Sequence, residues 1–334
     1  PETEIDADLA QVQWLGRVSL MLAGVIVSGL GGWLAGMYSY ETMFTLGLLI
    51  PLISITGATF VRLNPVPRTQ INWPILGGGI AFGVFVISFA FFEIPYGQEV
   101  VFTVSLSTLI FMISKIGITK SVLCVALVLF IFRAIPGVGP GVGWWQIDIL
   151  GFDKAFQGTL QQIGSILSIV GLFFFRKYII EKPIGFTLAW LTVAGAILTL
   201  PTIGLFYEVH TMFGVSARTV ALVDTTISAP IGALSMIPLL VLIAKTCPVG
   251  KAATWFAIMA SLMNLALSAG NLGTKYLNQI FVVTREVRNT SDIIVIAANY
   301  DNIGVLLIIT WVIGLIIPLV AIWFFLRKQE IVRQ

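Results

Sequence analysis

Apolar residues dominate this chain in long runs separated by short charged or Pro/Gly-rich breaks. Ten such runs stand out: 14–37, 41–62, 72–94, 97–115, 120–143, 155–176, 184–207, 216–244, 251–276 and 294–326. Each is near the ~20 residues an α-helix needs to cross a hydrocarbon core. Backbone polar groups in lipid must be satisfied within the spanning structure, which leaves helices or closed barrels. Barrel strands alternate over roughly ten residues, and these runs are twice that length. The pattern predicts an all-α, polytopic transmembrane bundle of about ten spans. The fifth run is expected to end as a broken helix, because Pro136 and Pro140 fall in its last third. The tenth is longer than a bilayer requires and is expected to tilt or to extend beyond it.

Composition agrees. Of 334 residues, 57% are hydrophobic and 10% charged, with a mean hydropathy of +0.98. A soluble domain carries about a quarter charged residues to wet its surface, so a water-soluble enzyme is a poor reading. The basic residues then orient the spans. Thirteen of the 19 lie at one class of loops and ends, from Arg17 and Arg62 to Lys245, Lys251 and Arg327. Five (Lys154, Arg218, Lys275, Arg285, Arg288) lie at the other, and Arg133 is inside a span. Lys/Arg excess marks cytoplasmic loops, so both chain ends are expected in the cytoplasm. The acidic stretch 1–13 is no signal peptide, and Pro1 is no initiator, so the chain is expected to lack its true beginning.

Small residues suggest where helices approach one another. Gly24, Ser28, Gly32 and Gly36 recur at every fourth position of the first run, widened by Gly29 and Gly31, with similar pairs at Gly79/Gly83 and Gly164/Ser168. Such stripes serve close backbone packing, or sliding seams in a protein whose helices rearrange. The segment Gly137-Val138-Gly139-Pro140-Gly141-Val142-Gly143 lacks the preceding strand of a phosphate loop; it reads as a broken helix end near the outer interface. Transporters place substrate at such breaks, where unwound backbone lines a cavity. Trp144 and Trp145 behind it are interfacial anchors or stacking surfaces.

Ionisable residues inside spans are costly and so are functional candidates. Arg133 and Asp224 are the clearest, as an ion pair holding two helices in register or as substrate contacts. Arg133 offers a planar fork of donors suited to a carboxylate. Asp224 suits a neighbouring N–H and NH2 edge, or a proton. Asn264 and Asn271, seven apart with Ser268 between, share a helix face and either line a polar cavity or bond across helices. One histidine, His210, and two isolated cysteines, Cys124 and Cys247, supply neither a metal site nor a disulfide framework. No catalytic residue, cofactor, metal or nucleic-acid partner is expected; the scattered carboxylates make no enzyme site.

Several segments then point to a family. Pro238, an apolar run, Lys245, Cys247-Pro248-Val249-Gly250 and Ala253-Thr254 form one. Leu150-Gly151-Phe152 with Phe156, Gly158 and Leu160 forms another, and Val282-Val283-Thr284-Arg285 a third. Together with Asp224 they resemble the folate–biopterin transporter family of the major facilitator superfamily. The resemblance covers most of 120–326 and extends to 14–62. It implies that 1–62 is the remainder of an N-terminal helical half, 63–118 an inserted helix pair with the central linker, and 119–334 a C-terminal six-helix half. Four more helices would lie upstream, fourteen in all. The implied activity is secondary transport of folates or pterins, proton-coupled, in a bacterial inner or thylakoid membrane. Arg133 would take a carboxylate tail, Asp224 the ring edge or a proton, and Trp144 or Trp145 would stack. Arg133 itself departs from the neutral or polar residue of better-known members, which bears on the substrate and not the fold. The competing reading is a facilitator-like subunit that does not transport, an assembly factor or pigment carrier of a larger membrane complex.

Overall fold

The computed structural model describes residues 11, 14–16, 18–27, 34, 37–60, 73–116, 119–175, 182–248 and 252–326. Residues 18–27 are helical, and helices follow in order: α1 Tyr40–Gly47, α2 Leu49–Thr59, α3 Trp73–Phe91, α4 Gly97–Ile116, α5 Lys120–Arg133 and α6 Gly141–Asp148. Then come α7 Lys154–Phe174, α8 Ile184–Phe206, the short α9 Val209–Met212, α10 Ala217–Gly232, α11 Met236–Lys245 and α12 Ala252–Ile280. Strands β1 Val287–Arg288 and β2 Ile294–Ile296 precede α13 Ile303–Ala321, which continues as a π-helical turn to Leu326.

The protein is a polytopic helical membrane protein, and each of the ten apolar runs contains helix. Among the described residues, five stretches have the length and composition to cross a bilayer: Gly97–Lys115, Ile184–Phe206, Ala217–Lys245, Thr254–Ile280 and Ile303–Leu326. Capping sets several starts. Thr119, Asp153 and Ser216 side chains accept from the backbone N–H three residues on, at 3.2, 2.7 and 3.1 Å, satisfying donors that a first turn leaves orphaned.

Among the described residues, the second run is broken at Leu48, and three later runs differ in detail from their pattern. The fifth stops at Arg133 and restarts at Gly141. The eighth is interrupted by the turn Ala233–Ser235, just after Pro230. The last helix starts at Ile303, not 294, because residues 287–296 make a short antiparallel hairpin that pairs Val287 with Ile296. Its turn is built by Asn289, whose side chain accepts from the Ser291 and Ile293 N–H groups, both at 2.9 Å. β-Branched Ile294–Ile296 favours extended backbone over the first turns of a helix.

Residues 23–101 form one compact unit; residues to 22 and from 102 onward form the other. In the second unit the largest core joins α5, α11 and α12 around Leu129, Leu242, Trp255 and Met259, and the Trp255 indole donates to Ile243 C=O at 2.8 Å. A smaller core holds Trp14 against α7, its indole donating to Leu172 C=O at 3.0 Å. The Gly164/Ser168 seam packs α7 on α10: a Cβ on Gly164 would stand 3.4 Å from Thr225, and Ser168 donates to Ala229 C=O at 3.1 Å. Gly171 extends it, its position so close that a Cβ would lie 2.5 Å from Pro230 Cα. In the first unit, a Cβ at Gly24, Gly79 or Gly83 would meet no described atom within 4 Å. Ser28, Gly29, Gly31, Gly32 and Gly36 fall outside the described residues, as do Val249–Lys251 of the Cys-Pro-x-Gly segment.

Candidate functional site

Proline sets the break between α5 and α6. Pro136 and Pro140 lack the N–H that a helix ladder needs, and each pushes the residue before it out of the helical region. Residues 134–139 are accordingly non-helical, and Gly139 takes φ +95°, which its lack of a Cβ permits. Irregular backbone at membrane depth persists only where protein or a cavity surrounds it. Here α12 supplies the protein. Thr274 Oγ1 accepts from Gly137 N–H at 2.8 Å, and Asn278 Nδ2 donates to Val138 C=O at 2.9 Å. Gly270 lets the two chains meet: a Cβ there would lie 2.9 Å from Ile135 O. Gly270, Thr274 and Asn278 are spaced four apart, one face of one helix. Sequence reasoning passed over them for Asn264 and Asn271. The spacing was legible, but the partner lies 137 residues away.

A second break meets the first. Phe132 and Ile135–Val138, Ser235 of the α10–α11 turn, α8 and α13 line a cavity of about 430 Å3. Among the described residues no charged side chain lines it. Its hydroxyls spend their protons within their own elements: Thr192 donates to Leu188 C=O, Thr199 to Gly195 C=O, Thr310 to Leu306 C=O, and Ser235 to Gly232 C=O, at 2.8–2.9 Å. The Trp311 indole N–H is taken by Ala196 C=O at 2.8 Å. The wall therefore retains acceptor lone pairs and aromatic and aliphatic surface, with every side-chain donor engaged.

The six residues singled out by the sequence do not converge. Arg133 is half-buried at the end of α5, next to cavity-lining Phe132, and its Nε is buried with no hydrogen-bond partner among the described residues. Asp224 lines a separate cavity of about 250 Å3 with Leu198, Pro201, Val223 and Ile227. Ser228 donates to the Asp224 carbonyl and stands 3.5 Å from its Oδ1. Among the described residues Arg133 and Asp224 form no ion pair with each other. Trp145 is buried (4% exposed) among Leu205, Ile303 and Leu307, with its ring 5.5 Å from that of Phe206; Trp144 is half-buried. Asn264 and Asn271 are exposed on α12, together with Ser261 and Ser268.

Charge gathers instead at the connection between α6 and α7. Arg285 grips Asp148 with two parallel bonds of 3.0 and 2.8 Å, and Tyr300 donates to the same carboxylate at 2.5 Å. The Arg285 bond, and then that of Tyr300, hold Asp148 below the usual carboxylate range. Burial, and then Asp148 itself, push Tyr300 up to about 12. Five residues on, Arg218 donates to Gly151 C=O at 2.8 Å and to Asp153 at 3.1 Å, with its guanidinium 5.1 Å from the Phe156 ring. Gly151 takes φ +65°, which turns Phe152 into the core (1% exposed). The arginine of the Val-Thr-Arg segment thus grips the end of α6, and Arg218 of α10 grips the glycine of the Leu-Gly-Phe segment that follows it.

A model of the BT1 family matches residues 7–333. The chain is 24% identical over 317 residues to a folate-biopterin transporter of Synechocystis sp., covering 91% of this chain and 53% of that protein. It is 30% identical over 153 residues to a probable folate-biopterin transporter of Arabidopsis thaliana, covering 45% of this chain and 31% of the relative. To a folate transporter of Plasmodium falciparum it is 25% identical over 139 residues, covering 42% and 30%. The chain spans about half the length of the first of these relatives and under a third of the other two. No solved structure matches it.

Proposed function

From the premise that this chain belongs to the BT1 family, we propose that it works in secondary transport of folate- or pterin-like small molecules across a membrane, coupled to protons. One observation carries this reading: two interrupted helices meet at a cavity within a bundle of membrane-spanning helices. Unwound backbone lining a cavity recurs at the substrate sites of secondary transporters. The names of the relatives supply the substrate class.

Arg133, half-buried at the break with its Nε buried and without a hydrogen-bond partner among the described residues, is the contact for a carboxylate tail. Asp224 is the proton-carrying group, enclosed by apolar residues of α8 and α10. Asn264 and Asn271 belong to the water-lined side of α12, since an exposed polar strip on a spanning helix is unsuited to lipid. Trp144, half-buried beside the break, is the stacking candidate ahead of the enclosed Trp145. Residues 119–334 form the C-terminal half, 63–118 the inserted pair and linker, and 1–62 the remainder of the first half. Both ends of the chain face the cytoplasm, in a bacterial inner or thylakoid membrane.

The test is uptake of labelled folate and biopterin by proteoliposomes carrying the whole protein, with and without an inward proton gradient. Gradient-driven uptake is expected, with loss of the gradient dependence in Asp224→Asn. Folded protein that accumulates neither compound would sink the reading.

A further inference from the structure

The side chains that line the cavity at the two breaks are chemically one-sided. Its hydroxyls and its indole have committed their protons to backbone carbonyls, yet each hydroxyl oxygen keeps acceptor capacity. An anion placed there would exchange part of its hydration for a wall that offers no free side-chain donor among the described residues. A neutral flat ring bearing N–H and NH2 groups finds the opposite: acceptors for its edge, and Phe132 and Trp311 among the walls. The volume, about 430 Å3, lies within the ~300–1,000 Å3 of small-molecule sites.

We propose that this cavity receives the neutral, donor-edged ring of the substrate and excludes its carboxylate-bearing tail. The inference rests on the transport reading above and adds which end of the molecule enters. The tail then lies outside the cavity, toward Arg133 at the mouth of the break.

Gly195 offers a clean way to close the space. It lines the cavity, is exposed to it, and a Cβ added there meets no atom within 4 Å. Binding of folate, which has the ring and a carboxylate-bearing tail, and of biopterin, which has the ring with a short neutral side chain, is measured on the whole protein in proteoliposomes. Gly195→Leu is expected to weaken both at least tenfold and by similar factors. Thr310→Val, nearly isosteric and stripped of one acceptor, is expected to weaken both by roughly threefold, in keeping with one neutral hydrogen bond. Weakened folate with unchanged biopterin would mean that the tail occupies the cavity, and would overturn the proposal. So would unchanged binding of both in the two variants. Failure of the unmodified protein to bind either compound is a different result, and removes the transport reading itself.

Discussion

The break between α5 and α6 and the clamp between α6 and α7 lie at opposite ends of one eight-residue helix, and they are held by different chemistry. At the break, the bonds are neutral and run from α12 side chains to backbone, and glycine at 270 removes the bulk between the two chains. At the clamp, two arginines grip two carboxylates and a carbonyl, with side chains roughly 30–60% exposed. The difference follows the surrounding medium. Inside a membrane a charge is costly and a neutral hydrogen bond needs no counter-ion. At a wetted end a charged pair is tolerated, and its worth is reduced by water and salt. The break is thus built to stay put by fit, and the clamp to hold by attractions that water can replace.

The strongest way to break this comparison is to fill the gap at the break. Gly270→Val should drive a side chain into Ile135 C=O, costing about 1–3 kcal/mol as overpacking does, and should cut uptake at least tenfold. Thermal unfolding in detergent and transport assays check the two effects separately; an unchanged Tm would refute the close fit. Next in size are the neutral bonds. Thr274→Val and Asn278→Leu each strand one backbone group of the unwound segment, an expected loss of ~1–3 kcal/mol apiece. Being one turn apart and sharing one segment, the two substitutions should not add independently, which the double variant tests.

The clamp should respond least. Arg285→Ala is expected to lower Tm by no more than about 2 °C, with the difference fading as salt is added. A loss as large as that from Gly270→Val would erase the contrast drawn here. Its pH dependence has a defined sign. Asp148 is depressed by its partners, so its contribution is present above the ordinary carboxylate pKa of about 4 and is lost as pH falls through its lower folded value. Tyr300 is raised to about 12, so its contribution is present below the ordinary phenol value of roughly 10 and is lost as pH rises through the folded one. Between those limits the Tm difference between the unmodified protein and Asp148→Asn should be flat; a step near neutral pH would contradict the assignment.

How far the sequence carried the reading depends on the residue. Pro136 and Pro140 announced the break, since their effect on backbone is local. Arg133 stood out because an arginine in an apolar run is rare at any depth. Asn264 and Asn271 drew attention as polar residues on a span, while Thr274 and Asn278, further along the same helix, hold the break. Nothing local separates the two pairs; the separation comes from which turns of α12 the unwound segment packs against. Trp145 looked like a surface anchor, and burial against Leu205 and Ile303 was invisible in a run of aromatic and glycine residues.

By itself, the sequence determined the membrane-spanning helical class, the positions where helices cannot continue, and the family. Each rests on properties of contiguous residues: hydropathy over twenty positions, proline's missing N–H, and short motifs. Only the tertiary structure decided that two breaks share one cavity, that its described side-chain donors are engaged, and that Arg133 and Asp224 stand unpaired with each other. These depend on partners such as Gly137 with Thr274 and Asp148 with Arg285, each 137 residues apart, which come together only when the helices pack.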